Sequence, residues 1–487
     1  MTALLWFRQN LRLKDNPPVH LACEHASSVV PVFLYEADSR YSRPRGGASQ
    51  WALHQALASL DEQIRSRYSG QRLYVAKVSN LVQSLVELAK TVHATCVYTE
   101  KRWEYGERKL EATLKTALEA EGIELKCYNA SLLQPANQGT KADGTPFLVF
   151  TPYWKASVKQ FETAMRPILP MPLSMPVSAI RLPENSINAL ELMPRLPWYR
   201  QMQSEWDLSE AGGQALLDAF LHHAILNYKD DRNIPAIRGT SKLSPYFHFG
   251  IMSVCDVFQQ AQNLRYQGLG TTADASIQHF HSELGWREFA HHLLYHHPTM
   301  PREPLRESFK AFPWEMNADF LNAWQTGRTG YPLVDAGMRQ LWATGWMHNR
   351  VRMVVGSLLV KHLLIPWQKG EAWFWDTLID ADLANNSMGW QWISGCGADA
   401  SPYFRVFNPI MQSQKFDADG QYIRRWVPEL AKVPASLIHS PWEVDVYELK
   451  QYGVIMGQNY PFPIVDHAKG RQRALEALAS IKGTDTP

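Results

Sequence analysis

The sequence predicts an α/β domain built on a doubly wound parallel sheet, then a long connection, then a large all-α domain. Three observations lead there. The chain has 487 residues, more than one ordinary core accommodates. Its first 130 residues alternate short apolar runs with amphipathic stretches, the pattern of a parallel sheet covered by helices. From about residue 205 onward helical periodicity dominates and strand signals are weak.

The apolar runs are ALLWF (3–7), SVVPVFLY (28–35), RLYVAKV (72–78), ATCVYTE (94–100) and ELKCYNA (124–130). Strands buried on both faces read as such near-continuous runs. Between them, Leu53, Leu57, Leu60 and Ile64 share one helix face. Asn80 has the chemistry to cap a helix running to about Val92. No G-x-G-x-x-G follows the first strand, so the usual dinucleotide fingerprint is missing there. Residues 131–204 lose periodicity and cluster Pro167, Pro170, Pro172 and Pro176, as an interdomain connection does. Within them FLVFTPYWKA (147–156) is aromatic enough to pack on a domain. The domain boundaries are therefore set at 1–130, 131–204 and 205–487. In the last of these, MRQLWATGWMHNRVRMVVGSLLVKHLLI (338–365) is the longest helical region, and Gly345 divides it into two helices.

Composition narrows the function classes. No apolar run is long enough to span a bilayer, and the N-terminus lacks a signal-peptide core. The cytoplasm is the expected compartment. Cys23, Cys96, Cys127, Cys255 and Cys396 are scattered, odd in number and never in a C-x-x-C pair, which argues against a disulfide framework or a zinc site. With a net charge of only +2, a nucleic-acid binder would need a local basic patch. Eighteen tryptophans fit a large aromatic core as well as a functional role.

Five motifs carry candidate chemistry. In TSKLSPYFHFG (240–250), Ser244 reads as an N-cap before Pro245, and the hydroxyls of Thr240, Ser241 and Ser244 suit a phosphate; a plain capped helix has the same residues. In ELGWREF (283–289), Glu283, Trp286 and Arg287 fall on one helix face, as a cavity lining or as a salt bridge beside a core ring. In GWMHNRVRM (345–353), Trp346, Asn349, Arg350 and Met353 spread over adjacent faces of one helix; Arg350 and Arg352 point apart, one suited to a buried carboxylate, the other to phosphate. IDADLANNSMGWQW (379–392) sets Asp380, Asp382, Asn385 and Asn386 beside Trp390 and Trp392. Asp-x-Asp invites magnesium, but no phosphate-loop chemistry accompanies it, and Asp and Asn equally hold the edge of a heterocycle. ASPYFRVFNP (400–409), with Lys415, Arg424 and Arg425 beyond, interleaves bases and aromatics as a nucleic-acid surface or a solvated basic face does.

Together, in this order, TSKLSPYFHFG, ELGWREF, TGYPLVDAGMRQLWATGWMHNRVRM, DADLANN–GWQW and ASPYFRVFNP resemble the photolyase/cryptochrome family, in particular the microbial enzymes for cyclobutane pyrimidine dimers. LLWFRQNLRLKDN resembles the family's opening strand and loop. The resemblance runs nearly end to end. It implies an α/β antenna domain, a linker and a helical FAD domain. It implies light-driven repair of DNA, in which reduced FAD hands an electron to a flipped-out dimer and receives it back. Tyr228, Thr240, Ser241, Leu243 and Ser244 would hold the FAD phosphates and ribityl chain. Arg287, Arg352, Asp380, Asp382 and Asn386 would complete the cofactor site, with Asn386 near the flavin's reactive nitrogen. Trp286 and Trp392 would flank the dimer, Glu283 and Asn349 would meet its base edges, and Met353 would pack on it. Arg232, Arg350 and Arg405 would contact backbone phosphates. Trp390, Trp367 and Trp314 match the family's electron-carrying tryptophans.

In RWEYGERKL (102–110), Glu107 matches a folate-holding position of some relatives and Trp103 could stack on the pigment. The resemblance thus implies 5,10-methenyltetrahydrofolate as antenna, with deazaflavin as the alternative. It also implies a monomer with DNA, and no membrane, as partner. Two rival functions share the fold: a cryptochrome-type blue-light receptor, and repair of the (6-4) photoproduct. Asn386 together with the lesion set Glu283, Trp286, Met353 and Trp392 favours dimer repair. The (6-4) enzymes need paired histidines at the lesion; HHLLYHH (291–297) reads instead as surface or core packing.

Overall fold

The structure, a computed structural model, describes residues 1–399 and 404–481. It divides into two compact units, one made of 1–226 with 241–298, the other of 227–240 with 299 onward.

The first unit is organised by a five-stranded, all-parallel sheet of β1 (Thr2–Trp6), β2 (Ser28–Tyr35), β3 (Tyr74–Lys77), β4 (Ala94–Glu100) and β5 (Glu124–Tyr128), in the order β3-β2-β1-β4-β5. β1 is central, in register with β2 from Thr2 opposite Ser28 to Trp6 opposite Val32. The chain winds outward one way through β2 and β3, then returns to β4 on the other side of β1. The sheet therefore has a switch point between β1 and β4, the place where open sheets of this kind ordinarily bind ligands. Helices α1 (Pro17–His25), α2 (Gly47–Arg67), α3 (Leu81–Thr91) and α4 (Tyr105–Glu119) connect the strands. Leu53, Leu57, Leu60 and Ile64 of α2 are all buried. Asn80 caps α3, its side-chain oxygen accepting from the Gln83 N–H at 3.1 Å.

The segment read as a connection contains secondary structure of its own: α5 (Phe150–Ala164) and α6 (Arg200–Glu205). α5 forms because its aromatic face has a partner. The unit continues with α7 (Glu210–His222), and the chain returns to it with α9 (Ser244–His248), α10 (Val254–Arg265) and α11 (Thr271–His296). α5 lies on α11 at Gly285, where a Cβ would stand 2.3 Å from the Trp154 ring; only glycine admits that approach.

The second unit is helical: α8 (Tyr228–Asp231), α12 (Ala318–Gln325), α13 (Pro332–Thr344), α14 (Asn349–Ser357), α15 (Trp367–Thr377), α16 (Leu383–Ser394), α17 (Pro409–Phe416), α18 (Gln421–Trp426), α19 (Val446–Gln451) and α20 (His467–Ile481). One apolar cluster joins α13, α14, α15, α16 and α20. Gly345 ends α13 in the left-handed conformation, φ 67°, the usual glycine C-cap. α14 starts only at Asn349 and runs into a π turn, Leu358–His362. Trp346 thus precedes α14 and is buried; it does not share a helix with Asn349, Arg350 and Met353 as the spacing suggested. All five cysteines are free, and no described helix is long and apolar enough to cross a membrane.

Candidate functional site

In the first unit, the chain turns sharply before α9. Lys242 has φ 54°, uncommon for a residue with a side chain. The Ser241 hydroxyl accepts from the Leu243 N–H at 3.4 Å, and Leu243 is buried. Ser244 is the first helical residue rather than the N-cap; Leu243 holds that place without a side-chain cap. The left-handed turn at Lys242 starts the helix one residue earlier than the Ser-Pro pattern indicates.

On α11 the spacing argument holds: Glu283, Trp286 and Arg287 are half-buried on one stretch of helix. Glu283 lies 3.9 Å from the His279 ring nitrogen. The Arg287 guanidinium donates to the Ser131 carbonyl at 2.8 Å and lies 3.3 Å from the Glu288 carboxylate. Glu288 is buried, and burial pushes its carboxyl up to about 7 although Arg287 and the N–H groups of Leu133 and Gln134 pull the other way. Trp286 stacks on Phe150, ring centroids 3.8 Å apart and planes 12° from parallel.

At the carboxyl ends of β1 and β4, Arg8 bridges Glu107 and Glu111 and donates to the Glu100 carbonyl at 3.0 Å. Burial alone would lower the Arg8 pKa, but the two carboxylates raise it overall. Glu107 is therefore engaged within the protein. Trp103 is buried with Leu132 and Ala136, its edge against Tyr295 at 6.1 Å and its indole N–H 3.4 Å from Asn129. That packing leaves little ring face for a stacked pigment.

In the second unit, Asp380, Asp382 and Asn386 have three separate tasks. Arg352 donates to both Asp380 oxygens, at 3.2 and 2.9 Å, while its Nε donates to the Met347 carbonyl at 2.8 Å. The Asp380 side chain is only 4% exposed, so the guanidinium is what makes its charge tolerable. Asp382 caps α16, accepting from the Asn385 backbone N–H at 2.8 Å and its side-chain amide at 2.7 Å. The Asn386 amide nitrogen donates to the Glu371 carbonyl oxygen at 3.0 Å and carboxylate at 2.8 Å. Both acceptors can only accept, so the amide oxygen is turned the other way.

At the start of α14 Asn349 is exposed, with Met353 half-buried one turn on. Arg350 lies 3.6 Å from the Met353 sulfur, reaches the Asn233 side chain and covers the Phe416 ring at 4.4 Å. The two arginines thus diverge as the spacing indicated: Arg352 takes the carboxylate, and Arg350 lies with half-buried Asn233. Tyr228 is buried under the half-buried Arg232, 5.7 Å away, and Thr240 is half-buried. Arg405 is exposed over Phe407 at 5.1 Å. With Trp392, Phe404 and Lys361 these two line a cleft. Residues 400–403 of the ASPYFRVFNP motif lie outside the described residues.

The three tryptophans grade from core to surface. Trp390 is 3% exposed and Trp367 1%, whereas Trp314 is half-buried. Trp390 presses on α15 at Gly370, where a Cβ would stand 2.1 Å from its ring, one turn beyond Trp367. The Glu315 N–H donates to the Leu364 carbonyl at 2.8 Å, which lays the segment of Trp314 beside the one leading into Trp367.

Sequence reasoning missed Glu371, Phe150 and Lys361. Lys361 is buried and donates to the Ser394 carbonyl at 2.7 Å, at the C-terminus of α16, with burial holding its amine well below the usual lysine range. A lysine in a run as apolar as SLLVKHLLI is the signal that could have found it.

The family model for DNA photolyase matches residues 3–173, and that for the FAD binding domain of DNA photolyase matches residues 280–480. A deoxyribodipyrimidine photo-lyase of Agrobacterium fabrum is 41% identical over 99% of this chain and 98% of its own length. The chain belongs to the photolyase/cryptochrome family. Cryptochrome-2 of Arabidopsis thaliana, another relative, is 36% identical over 98% of this chain and 79% of its own. The crystal structure of a bacterial class III photolyase from Agrobacterium tumefaciens superposes with a TM-score of 0.93 at 39% identity, covering 99% of this chain and 98% of that one. The sheet and helical architecture read from the sequence is that of photolyase structures.

Proposed function

We infer that this protein is a deoxyribodipyrimidine photo-lyase, repairing cyclobutane pyrimidine dimers in DNA with light and bound FAD. The observation that carries the reading is the polar set on α14–α16: Arg352 neutralised by Asp380, and Asn386 with its amide oxygen turned away from Glu371. The donors and acceptors of this set fit an isoalloxazine edge, which presents alternating acceptors and N–H donors. When bound, FAD supplies photochemical electron transfer to the dimer.

The protein's own residues do the rest. Ser241, Leu243 and Ser244 at the start of α9, with Tyr228 and Thr240, hold the phosphates and ribityl chain, and Arg287 adds charge. Arg352 offers N–H donors while Asp380 keeps the local charge near zero. Asn386 offers a fixed acceptor. A dimer inside a duplex is out of reach, so it must be extruded, at about a few kcal/mol. Trp286 and Trp392 provide aromatic faces worth about 1–3 kcal/mol per stacked base. Glu283 and Asn349 meet base edges, and Met353 supplies an apolar contact. Arg232, Arg350 and Arg405 face the backbone phosphates. Trp390, Trp367 and Trp314 pass an electron inward from the surface. For the antenna we favour 5,10-methenyltetrahydrofolate over deazaflavin, near the β1–β4 switch point. There the engaged Glu107 and buried Trp103 argue for neighbouring groups as the direct contacts. The same reading makes the protein a cytoplasmic monomer.

Illumination of a dimer-containing oligonucleotide with the reduced holoprotein tests this reading. Restored pyrimidines support it. Photoreducible flavin with no repair would favour the photoreceptor role, and repair confined to (6-4) lesions would move the substrate.

A further inference from the structure

The aromatic segment FLVFTPYWKA packs on the helix that bears the lesion residues, and it does so ring on ring. Phe150, the first residue of α5, covers one face of Trp286, centroids 3.8 Å apart and planes 12° from parallel. Trp154, one turn along, stacks behind Phe150 at 6.1 Å and 11°. Phe289 meets both Phe150 and Trp286 edge-on, each at 5.9 Å. Gly285, next to Trp286, is what lets the Trp154 ring approach α11. Phe150 is buried, and Trp286 is half-buried.

An indole has two faces, and one of these is spent on Phe150. We propose that Phe150 is a positioning residue for lesion recognition: it backs Trp286 and fixes its plane, so that one face alone is presented to the flipped dimer. The inference rests on the reading of Trp286 as a lesion-binding residue. Its physical basis is preorganisation. A rotamer-rich side chain that must be immobilised on binding weakens the complex, and one already held does not. The Phe150–Trp286 stack, clamped by Phe289 and seated through Trp154 on Gly285, immobilises the indole before DNA arrives. The gain goes to a ligand that stacks on that face, and not to DNA that offers only phosphates.

The test uses full-length holoprotein carrying Phe150→Ala, Phe150→Leu or Phe150→Tyr, alone and with Trp286→Ala. Binding is measured to oligonucleotides of one sequence with and without a dimer, with flavin absorbance as the check on the fold. Phe150→Ala is expected to weaken dimer binding by about two- to tenfold, the size of one stacked aromatic pair, and to leave dimer-free binding and flavin content as they were. Phe150→Leu, which keeps bulk without a ring, follows Phe150→Ala and serves if the alanine variant does not fold. Phe150→Tyr restores affinity. In the Trp286→Ala background, removing Phe150 costs nothing more. Unchanged dimer affinity in Phe150→Ala and Phe150→Leu, or an equal loss with Trp286 already gone, overturns the proposal while the role of Trp286 stands. If Trp286→Ala itself leaves dimer affinity unchanged, the underlying reading of Trp286 fails and takes the proposal with it.

Discussion

Replacing Glu371 tests how the protein orients Asn386, the acceptor that the proposed reading places at the flavin. Glu371 is 3% exposed and holds the Asn386 amide nitrogen through its backbone carbonyl at 3.0 Å and its carboxylate at 2.8 Å. The carboxylate bond is charge-assisted, and such bonds contribute about 1.5–3 kcal/mol. At about 1.4 kcal/mol per decade, that is roughly a ten- to hundredfold preference for the orientation with the amide oxygen turned away from Glu371. Glu371→Ala removes the stronger bond and keeps the backbone one. Glu371→Gln keeps an acceptor at the same reach. On the proposed reading, Glu371→Ala retains FAD, because Asn386 is one of several groups on it, but the reduced cofactor is oxidised faster in air and repair falls about tenfold or more. Glu371→Gln falls far less. The assay is flavin absorbance during anaerobic photoreduction and after readmission of air, beside repair of a dimer-containing oligonucleotide. A Glu371→Ala protein with wild-type reoxidation and repair would refute the argument, as would equal loss of FAD from both variants.

Three further outcomes are expected. Arg352→Ala leaves the buried Asp380 carboxylate without its cation; as Arg352 is itself a quarter exposed, the cost should sit near the low end for buried pairs, about 3 kcal/mol, read as a lower denaturation midpoint with loss of FAD, while an unshifted midpoint would show the pair to be dispensable. Trp367→Phe should slow photoreduction of the oxidised flavin and spare repair by enzyme reduced beforehand; equal loss of both would remove Trp367 from an electron path. For Glu288 the folded carboxyl titrates at about 7, above its ordinary 4.5, so the folded state binds more protons between those values and this group's stabilisation is lost as pH rises through 7. His281 and His292, lowered by burial to about 3 and about 4, act in the opposite sense below 6.5. Comparison of wild type with Glu288→Gln therefore isolates the effect: the wild type should lose about 2–3 kcal/mol relative to the variant between pH 5 and pH 8, and parallel pH profiles in urea unfolding would contradict it.

Features that depend on neighbours along the chain were legible in the sequence. The five strands fall within two residues of their apolar runs at either end, because a strand covered on both faces has to be apolar throughout. Asn80 and Gly345 end or begin helices where expected, since capping is local chemistry. α5 was not legible as a helix: its stabilisation comes from ring packing on α11 rather than from periodicity. Ser244 misled because Ser-Pro ordinarily marks the first turn, whereas here the left-handed Lys242 had already started it. Helical spacing told which candidates share a face of α11 and that Arg350 and Arg352 diverge. It could not tell what each one meets. Arg8 finds Glu107 across 99 positions and Asn386 finds Glu371 across 15, and no pattern in either segment encodes the pairing.

The same distinction bears on repair against light sensing. On the proposed reading Asp380, Asp382 and Asn386, with Arg352 and the buried tryptophans, would serve a flavin whichever function the protein has, so they would separate the family from other folds and not its members from one another. The groups that this reading assigns to repair are others: Asn349 and Met353 at the start of α14, Trp392 two positions after Trp390, and Glu283 with Trp286 on α11. Of these, Trp286 has the most distinctive packing. A tryptophan that merely fills a core is fully enclosed, as Trp324 is, with no exposed surface and with Phe374 and Trp390 each 6.1 Å away. Trp286 is half-buried, with Phe150 flat on one side and Phe289 at its edge. On the proposed reading, a ring held on one side by Phe150 and still partly exposed would offer its other face for stacking on a flipped dimer.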